Sequence, residues 1–280
     1  MNAKYSLALT VLGWGLSLGS SSALAQYIEM DLTGYQPGLG RFLDPNLNGW
    51  GMDFTPDGLV AIANTATGTV TFYNHAGKPV PPVITVPPAP TQPFGPIGQP
   101  TGLVYNPTSQ FVITANGKSA PARLIFDTGD GMICGWNPDV DPTHAIIMVD
   151  RSTEAPFPAG YDALALAQNS RGQSILYAAD GGGSPIASNN RIDMFDGSFQ
   201  SVGSFTDPNV ALEYPGNTAL GIEHEDGVLY VTFGGFAPPF GGVVDIFDAD
   251  GNLLTPNHFA ANGPGGPLVN PFGIARVPAN

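Results

Sequence analysis

The chain has 280 residues, enough for one large or two small domains, and a formal charge of −14 from nine basic and 23 acidic side chains. That acidity repels a phosphate backbone and argues against nucleic acid as a partner. A single cysteine, Cys134, excludes an internal disulfide and a cysteine zinc site.

Gly (37) and Pro (28) together approach a quarter of the chain, while the hydrophobic share of 42%, with 16 Phe and 9 Tyr, supplies ample surface to bury. Many short strands joined by Gly/Pro turns satisfy both. At the N-terminus, Lys4, the apolar run Leu7 to Leu18 and the small residues of Ala23-Leu24-Ala25 have the order of an export signal. The expectation is a signal peptide over 1–25, cleavage near Ala25, and an exported domain over 26–280, periplasmic or extracellular. No later stretch reaches 18 apolar residues, so no transmembrane segment is expected in the mature chain.

Tyr27 to Leu32 alternates as a strand. The first unit then runs Gly49 to Phe54, Leu59 to Ala63, Gly68 to Tyr73 and Val83 to Val86. Its fourth strand is flanked by prolines and therefore lies outermost. The second unit offers Thr101 to Tyr105, Phe111 to Ala115 as its second strand, Arg123 to Phe126, Met132 to Trp136 and Ala145 to Val149. The third runs Asp162 to Leu166, Ser174 to Ala179, Arg191 to Phe195 and Val202 to Phe205. The fourth runs Ala219 to Glu223, Val228 to Phe233, Val243 to Phe247 and Leu253-Leu254. Asn270 to Ala275 opens a fifth.

The openers align on a small residue: Gly51, Gly102, Ala163, Gly221 and Gly273, spaced 51, 61, 58 and 52 residues. Self-similarity at this period with four strands per unit predicts an all-β fold, a β-propeller of four-stranded blades, about four full blades plus part of a fifth. A β-sandwich is the alternative. The small openers suit inner strands crowded around a central axis.

Three runs carry a family resemblance: Asp44-Pro45-Asn46-Leu47 with Gly49-Trp50-Gly51; Ala122 to Phe126 with Asp130-Gly131 and Gly135-Trp136-Asn137-Pro138; and Arg191 to Asp196 with Gly203 to Asn209. Together they resemble a family of exported bacterial propellers akin to NHL repeats, some members of which bear a PEP-CTERM sorting tail. The resemblance spans about residues 27 to 276. It implies about six blades, against four and one strand here, so the chain reads as C-terminally short relative to that family: naturally short, truncated, or with its ring completed differently. The sorting tail is absent, so surface anchoring is not carried over.

Asn64, Asn116 and Asp180 each close the expected second strand of a unit. In a propeller that position recurs around one end of the channel, where oxygen donors could converge on a divalent cation such as calcium or on a polar ligand. Asn and Asp also end strands because they favour turns, and Gly234 at the fourth position interrupts the ring. The four histidines show no zinc-hydrolase spacing. No Gly-x-Ser-x-Gly elbow is present, and Gly181-Gly182-Gly183-Ser184 lacks the Lys of a phosphate loop. Asp139-Val140-Asp141 lacks the Gly and Glu of a calcium loop. Cys134, Trp50 and Trp136 are assigned to blade core.

No catalytic residue and no specific reaction is readable. The expected function is binding of a protein or of an envelope or extracellular polymer. The alternative is a metal-dependent hydrolase, of lactonase or phosphoesterase type, with its site at the channel mouth; that rests on fold analogy.

Overall fold

The computed structural model describes residues 30–91, 93, 95–184, 187–235, 241–255, 258–262 and 268–275. The expected signal peptide and the start of the Tyr27 strand lie outside them. A short parallel pair, β1 (Thr33–Gly34) with β2 (Phe42–Leu43), precedes four antiparallel sheets. Blade 1 is β3 (Gly49–Phe54), β4 (Val60–Asn64), β5 (Thr69–Tyr73) and β6 (Pro79–Thr85), paired in that order. In blade 2, β7 (Pro100–Tyr105) is followed by a separate hairpin, β8 (Val112–Ala115) with β9 (Lys118–Pro121). The blade then resumes with β10 (Leu124–Thr128), β11 (Met132–Trp136) and β12 (Ile146–Asp150).

Blade 3 is β13 (Tyr161–Gln168), β14 (Ser174–Asp180), β17 (Arg191–Asp196) and β18 (Ser201–Phe205), with the small hairpin β15 (Gly183–Ser184) and β16 (Ala187–Ser188) inserted. A helix, α1 (Pro208–Glu213), leads to blade 4: β19 (Thr218–Glu225), β20 (Val228–Gly234), β21 (Gly242–Phe247) and β22 (Ala260–Asn262). The fold is a β-propeller of four-stranded blades.

Side-chain alternation assembles the blades. In β10, Leu124 and Phe126 join Ala61, Val70 and Phe72 of blade 1, whereas Ile125 joins Leu164, Leu176 and Ala178 of blade 3. In β14, Ile175, Tyr177 and Ala179 turn instead to Val231, Phe233 and Phe247 of blade 4. Central strands buried on both faces read as continuous apolar runs, and β10, β11 and β14 are buried throughout. Cys134 is one of these packed residues and its thiol pKa is pushed up by burial.

Every inner strand carries one extra residue at its opener. Gly49 and Met52 face Asn64 and Ile62; Pro100 and Leu103 face Thr128 and Phe126; Tyr161 and Ala163 face Asp180 and Ala179; Ala219 and Gly221 face Phe233 and Thr232. This β-bulge bends the strand where it meets its neighbour. There the blades nearly touch. A Cβ on Gly51 would collide with the Thr101 carbonyl oxygen, one on Gly102 would lie 2.5 Å from the Leu164 nitrogen, and one on Gly221 would collide with the Phe272 carbonyl oxygen. Each opener thus abuts the opener of the next unit. Residues 270–274 occupy the fifth place without forming a paired strand, held by Thr232 Oγ1 donating to the Phe272 oxygen at 3.2 Å and Gly235 N donating to Asn270 Oδ1 at 3.0 Å.

Two strand expectations are corrected. Phe111 to Ala115 is not the second strand of blade 2. Asn116 and Gly117 both take positive φ, 54° and 73°, and turn that run back on Lys118–Pro121 as a hairpin outside the blade. Leu124–Thr128 is the second strand instead. In blade 4, Leu253 makes only an isolated bridge to Phe247, and Ala260–Asn262 forms the outer strand.

Candidate functional site

The blade ends nearest the axis place the expected ligands. Asn64 and Asp180 do occupy one equivalent position, opposite the bulge, and the residues that match them are Thr128 and Phe233. Asn116 is not there. It sits exposed at the tip of the β8–β9 hairpin, with Nδ2 3.3 Å from Asp141 Oδ2, because its strand belongs to no blade.

Asn64 is fully buried. Its Oδ1 accepts from Asn48 N at 2.9 Å and its Nδ2 donates to Ile62 O at 3.2 Å and Thr71 Oγ1 at 2.9 Å. Those bonds latch blade 1 internally. Asp180 is also buried. Oδ1 accepts from Gly160 N at 3.0 Å and Gly182 N at 2.9 Å, and Oδ2 accepts from Asn189 Nδ2 at 2.9 Å and faces Arg191 Nη2 at 3.1 Å. Burial pushes its pKa up, and the two backbone donors pull against that.

Arg191 also bonds Asp193 at 2.8 Å and Glu154 at 2.9 Å, while Arg151 reaches Asp193 at 2.7 Å. Tyr161 completes the set by donating its hydroxyl to Asp193 Oδ2 at 3.0 Å. Two guanidiniums and three carboxylates thus fasten the connection after blade 2 to blade 3. Arrangements of this kind fix geometry more than they stabilise.

Carboxyls that the sequence did not single out gather near the axis. Asp127, on β10, accepts at Oδ1 from Gly102 N at 2.5 Å and Thr101 Oγ1 at 2.8 Å. Its Oδ2 is buried with no partner among the described residues. Burial pushes its pKa up to about 7 against the pull of those two donors. Asp162, on β13, is also pushed up to about 7, first by burial and then by Asp127 and Asp180. Such groups hold a proton near neutrality, which ordinary carboxylates do not. The signal that could have found Asp127 was its place one residue before the end of β10, had β10 been recognised as the second strand.

The far face of blade 1 differs in character. Gly51 and Asp53 point to blade 2, where Asp53 Oδ2 accepts from Tyr105 N at 2.7 Å. Beyond the bulge, the two-residue period of a strand turns Met52 and Phe54 away from it, while Trp50 lies within the bulge. Trp50, Met52 and Phe54 are 49%, 53% and 66% exposed. Trp50 meets Phe272 edge-on, with centroids 5.4 Å apart, and donates Nε1–H to the Asp162 oxygen at 3.1 Å. Trp50 is therefore not blade core, which corrects the sequence reading. Trp136 is buried against Phe72, as expected.

Among the described residues, fold and site together define four propeller blades with buried acids on the inner strands and exposed apolar side chains on β3. No family model matches the chain. An uncharacterised protein of Acanthamoeba polyphaga mimivirus is 25% identical over 255 residues, which is 86% of this chain and 62% of that one. Similar solved structures include virginiamycin B lyase from Staphylococcus aureus with quinupristin (TM-score 0.48, 15% identity, 76% of this chain and 57% of that one). Hydrazine synthase from Kuenenia stuttgartiensis gives a TM-score of 0.48 at 15% identity, over 82% of this chain and 53% of the other. The Swd1 β-propeller domain of Myceliophteria thermophila gives 0.41 at 13% identity, over 73% and 59%. The chain thus spans less than two thirds of each of these proteins.

Proposed function

We propose that this protein is an exported binding protein that engages a macromolecular partner, a protein or an envelope polymer, through the open face of blade 1. The observation that carries this is Met52 and Phe54, exposed on the face of β3 turned from blade 2, with the half-exposed Trp50 beside them in the strand. Aromatic residues and Met are enriched where proteins meet, and a contiguous exposed apolar patch marks an interaction site. A protein partner fits these side chains better than a polysaccharide, because Met and Phe contribute apolar area without hydroxyl-directed donors. Export rests on Lys4, the Leu7 to Leu18 run and Ala23-Leu24-Ala25.

The hydrolase reading draws on the raised acids Asp127 and Asp162, since perturbed pKa values cluster at functional sites. It gains nothing from Asn64 or Asp180, whose polar atoms are engaged within the fold.

The test uses the chain from residue 26 onward as bait against envelope and culture-medium fractions of its source, beside the double variant Met52→Ser, Phe54→Ser, which keeps the Trp50 contacts with Asp162 and Phe272. The expected result is a defined partner enriched by the parent chain and lost in the variant, with the thermal midpoint of the bait unchanged. A partner retained equally by both baits, or none enriched by either, overturns this reading. Light scattering on the bait alone shows whether the partner is a second copy.

A further inference from the structure

Away from the axis, three buried ionisable side chains meet at the seam of blades 3 and 4. Asp207 caps α1, with Oδ1 accepting from Asn209 N at 2.8 Å. Asp245 stands on β21. His258 arrives on the loop between β21 and β22, set by His258 N donating to Thr255 O at 3.0 Å and Phe259 N donating to Val244 O at 2.9 Å. Its Nδ1 lies 2.8 Å from Asp245 Oδ1 and 3.6 Å from Asp207 Oδ2. The aspartate side chains are 0% exposed and the imidazole 5%.

Asp207 Oδ2, Asp245 Oδ2 and His258 Nε2 have no hydrogen-bond partner among the described residues. No Lys or Arg pairs with either aspartate among those residues. Two buried carboxylates therefore share a single imidazole, whose Nε2 also lies 3.7 Å from the exposed Glu213 carboxylate. With both carboxylates ionised, even a protonated ring leaves one negative charge uncompensated, and a buried unpaired charge costs several kcal/mol. A divalent cation balances both.

The donor set is two carboxylate oxygens and one imidazole nitrogen. Calcium and magnesium prefer oxygen alone, whereas imidazole suits zinc and its first-row neighbours. One ligand atom from each residue can be chosen so that all three lie within 4.8 Å of one another. Ligands about 2.1 Å from a tetrahedral zinc stand about 3.4 Å apart, and the separations of 2.8 Å and 3.6 Å at Nδ1 bracket that spacing. Three protein ligands leave a position for water. Binding displaces the Nδ1 proton to solvent.

We propose that Asp207, Asp245 and His258 form a site for a divalent transition-metal ion of the zinc type, which ties the connection after blade 3 to the third strand of blade 4. The sequence hides it, because its residues are spread over 52 positions with no recognisable ligand spacing.

The test strips the full chain of metal and titrates it with zinc chloride by calorimetry and with cobalt chloride by visible absorption. The expected result is one equivalent of zinc, a raised melting temperature, and a cobalt spectrum of low-coordinate type. Asp245→Asn and His258→Gln each weaken zinc binding by at least about tenfold, since loss of even an outer partner of a metal ligand costs that much. Asp162→Asn, which removes an axial acid, leaves binding intact. Absence of stoichiometric zinc binding, binding unchanged in both site variants, or loss of binding only with Asp162→Asn overturns the proposal. If a site variant fails to fold, the cobalt spectrum of the unmutated chain decides: only the weak band of hydrated octahedral cobalt counts against the site.

Discussion

Asp127 shows how a single residue couples this fold to pH. One oxygen takes two donors from β7 and the other is buried without a partner. Burial raises its pKa from the ordinary 3.8 to about 7, and Asp162 follows for the same first reason. An acid whose folded pKa exceeds its unfolded value binds, between those two values, a proton that the unfolded chain has already lost. Stability from these groups is therefore present at low pH and falls as pH rises from about 4 to about 7. Asp127→Asn keeps the Oδ1 acceptor and removes the charge. Urea unfolding should find the variant about 1–3 kcal/mol more stable than the parent at pH 8, part of the gain being offset by an unpaired amide, and close to it at pH 4.5. A variant less stable at pH 8 would show that Asp127 is ionised and paired. Asp180 contrasts with it. Its charge meets Arg191, so Arg191→Met should destabilise by about 3–5 kcal/mol, read in the same urea experiment, by leaving carboxylates buried alone.

At the scale of the element, the opener is the unit of construction. A Cβ at Gly102 would lie 2.5 Å from the Leu164 nitrogen and 2.6 Å from two Ala163 backbone atoms, none of which can rotate away. Gly102→Ala should cost about 1–3 kcal/mol or more by overpacking, whereas Gly129→Ala, whose Cβ meets nothing closer than 3.6 Å, should stay near neutral. Equal urea midpoints for the two would mean that blades 2 and 3 can slide apart. The openers were legible because only small residues survive where backbones nearly touch, and that need leaves a periodic trace. The bulge behind each opener was not, since an extra residue changes register without changing composition. Blade 2 was misread for a related reason. Phe111 to Ala115 has a strand's composition, and composition does not say which sheet a strand joins. Asn116-Gly117 was the available hairpin signal, and it converts Asn116 from an axial ligand into a hairpin tip. That Asp180 ends the second strand of blade 3 was legible because Ser174–Asp180 is an apolar, fully buried strand with an abrupt polar end.

For the whole molecule, stability is distributed by neighbours. Three apolar clusters lie between blades 1 and 2, blades 2 and 3, and blades 3 and 4. Among the described residues, no such cluster joins blade 4 to blade 1; Phe272 meets Trp50 edge-on, and Asp53 of blade 1, after burial, helps raise the carboxyl pKa of Glu223 on β19. Among the described residues, blades 2 and 3 are thus covered on both faces by apolar clusters, and blades 1 and 4 on one. Residues 270–274 add partial cover to blade 4 through Thr232 and Gly235. In stacked repeats each unit draws its stability from its contacts with adjacent units, and local opening follows the least-covered parts. Hydrogen exchange should therefore run fastest in β3–β6, next in β19–β22, and slowest in β10, β11, β14 and β17. Uniform protection, or blade 1 outlasting blade 2, would mean that Trp50, Met52 and Phe54 are covered in solution. Repeating the measurement across protein concentrations separates the causes: protection of β3 that grows with concentration identifies a second copy as the cover, and protection independent of it identifies cover from within the chain.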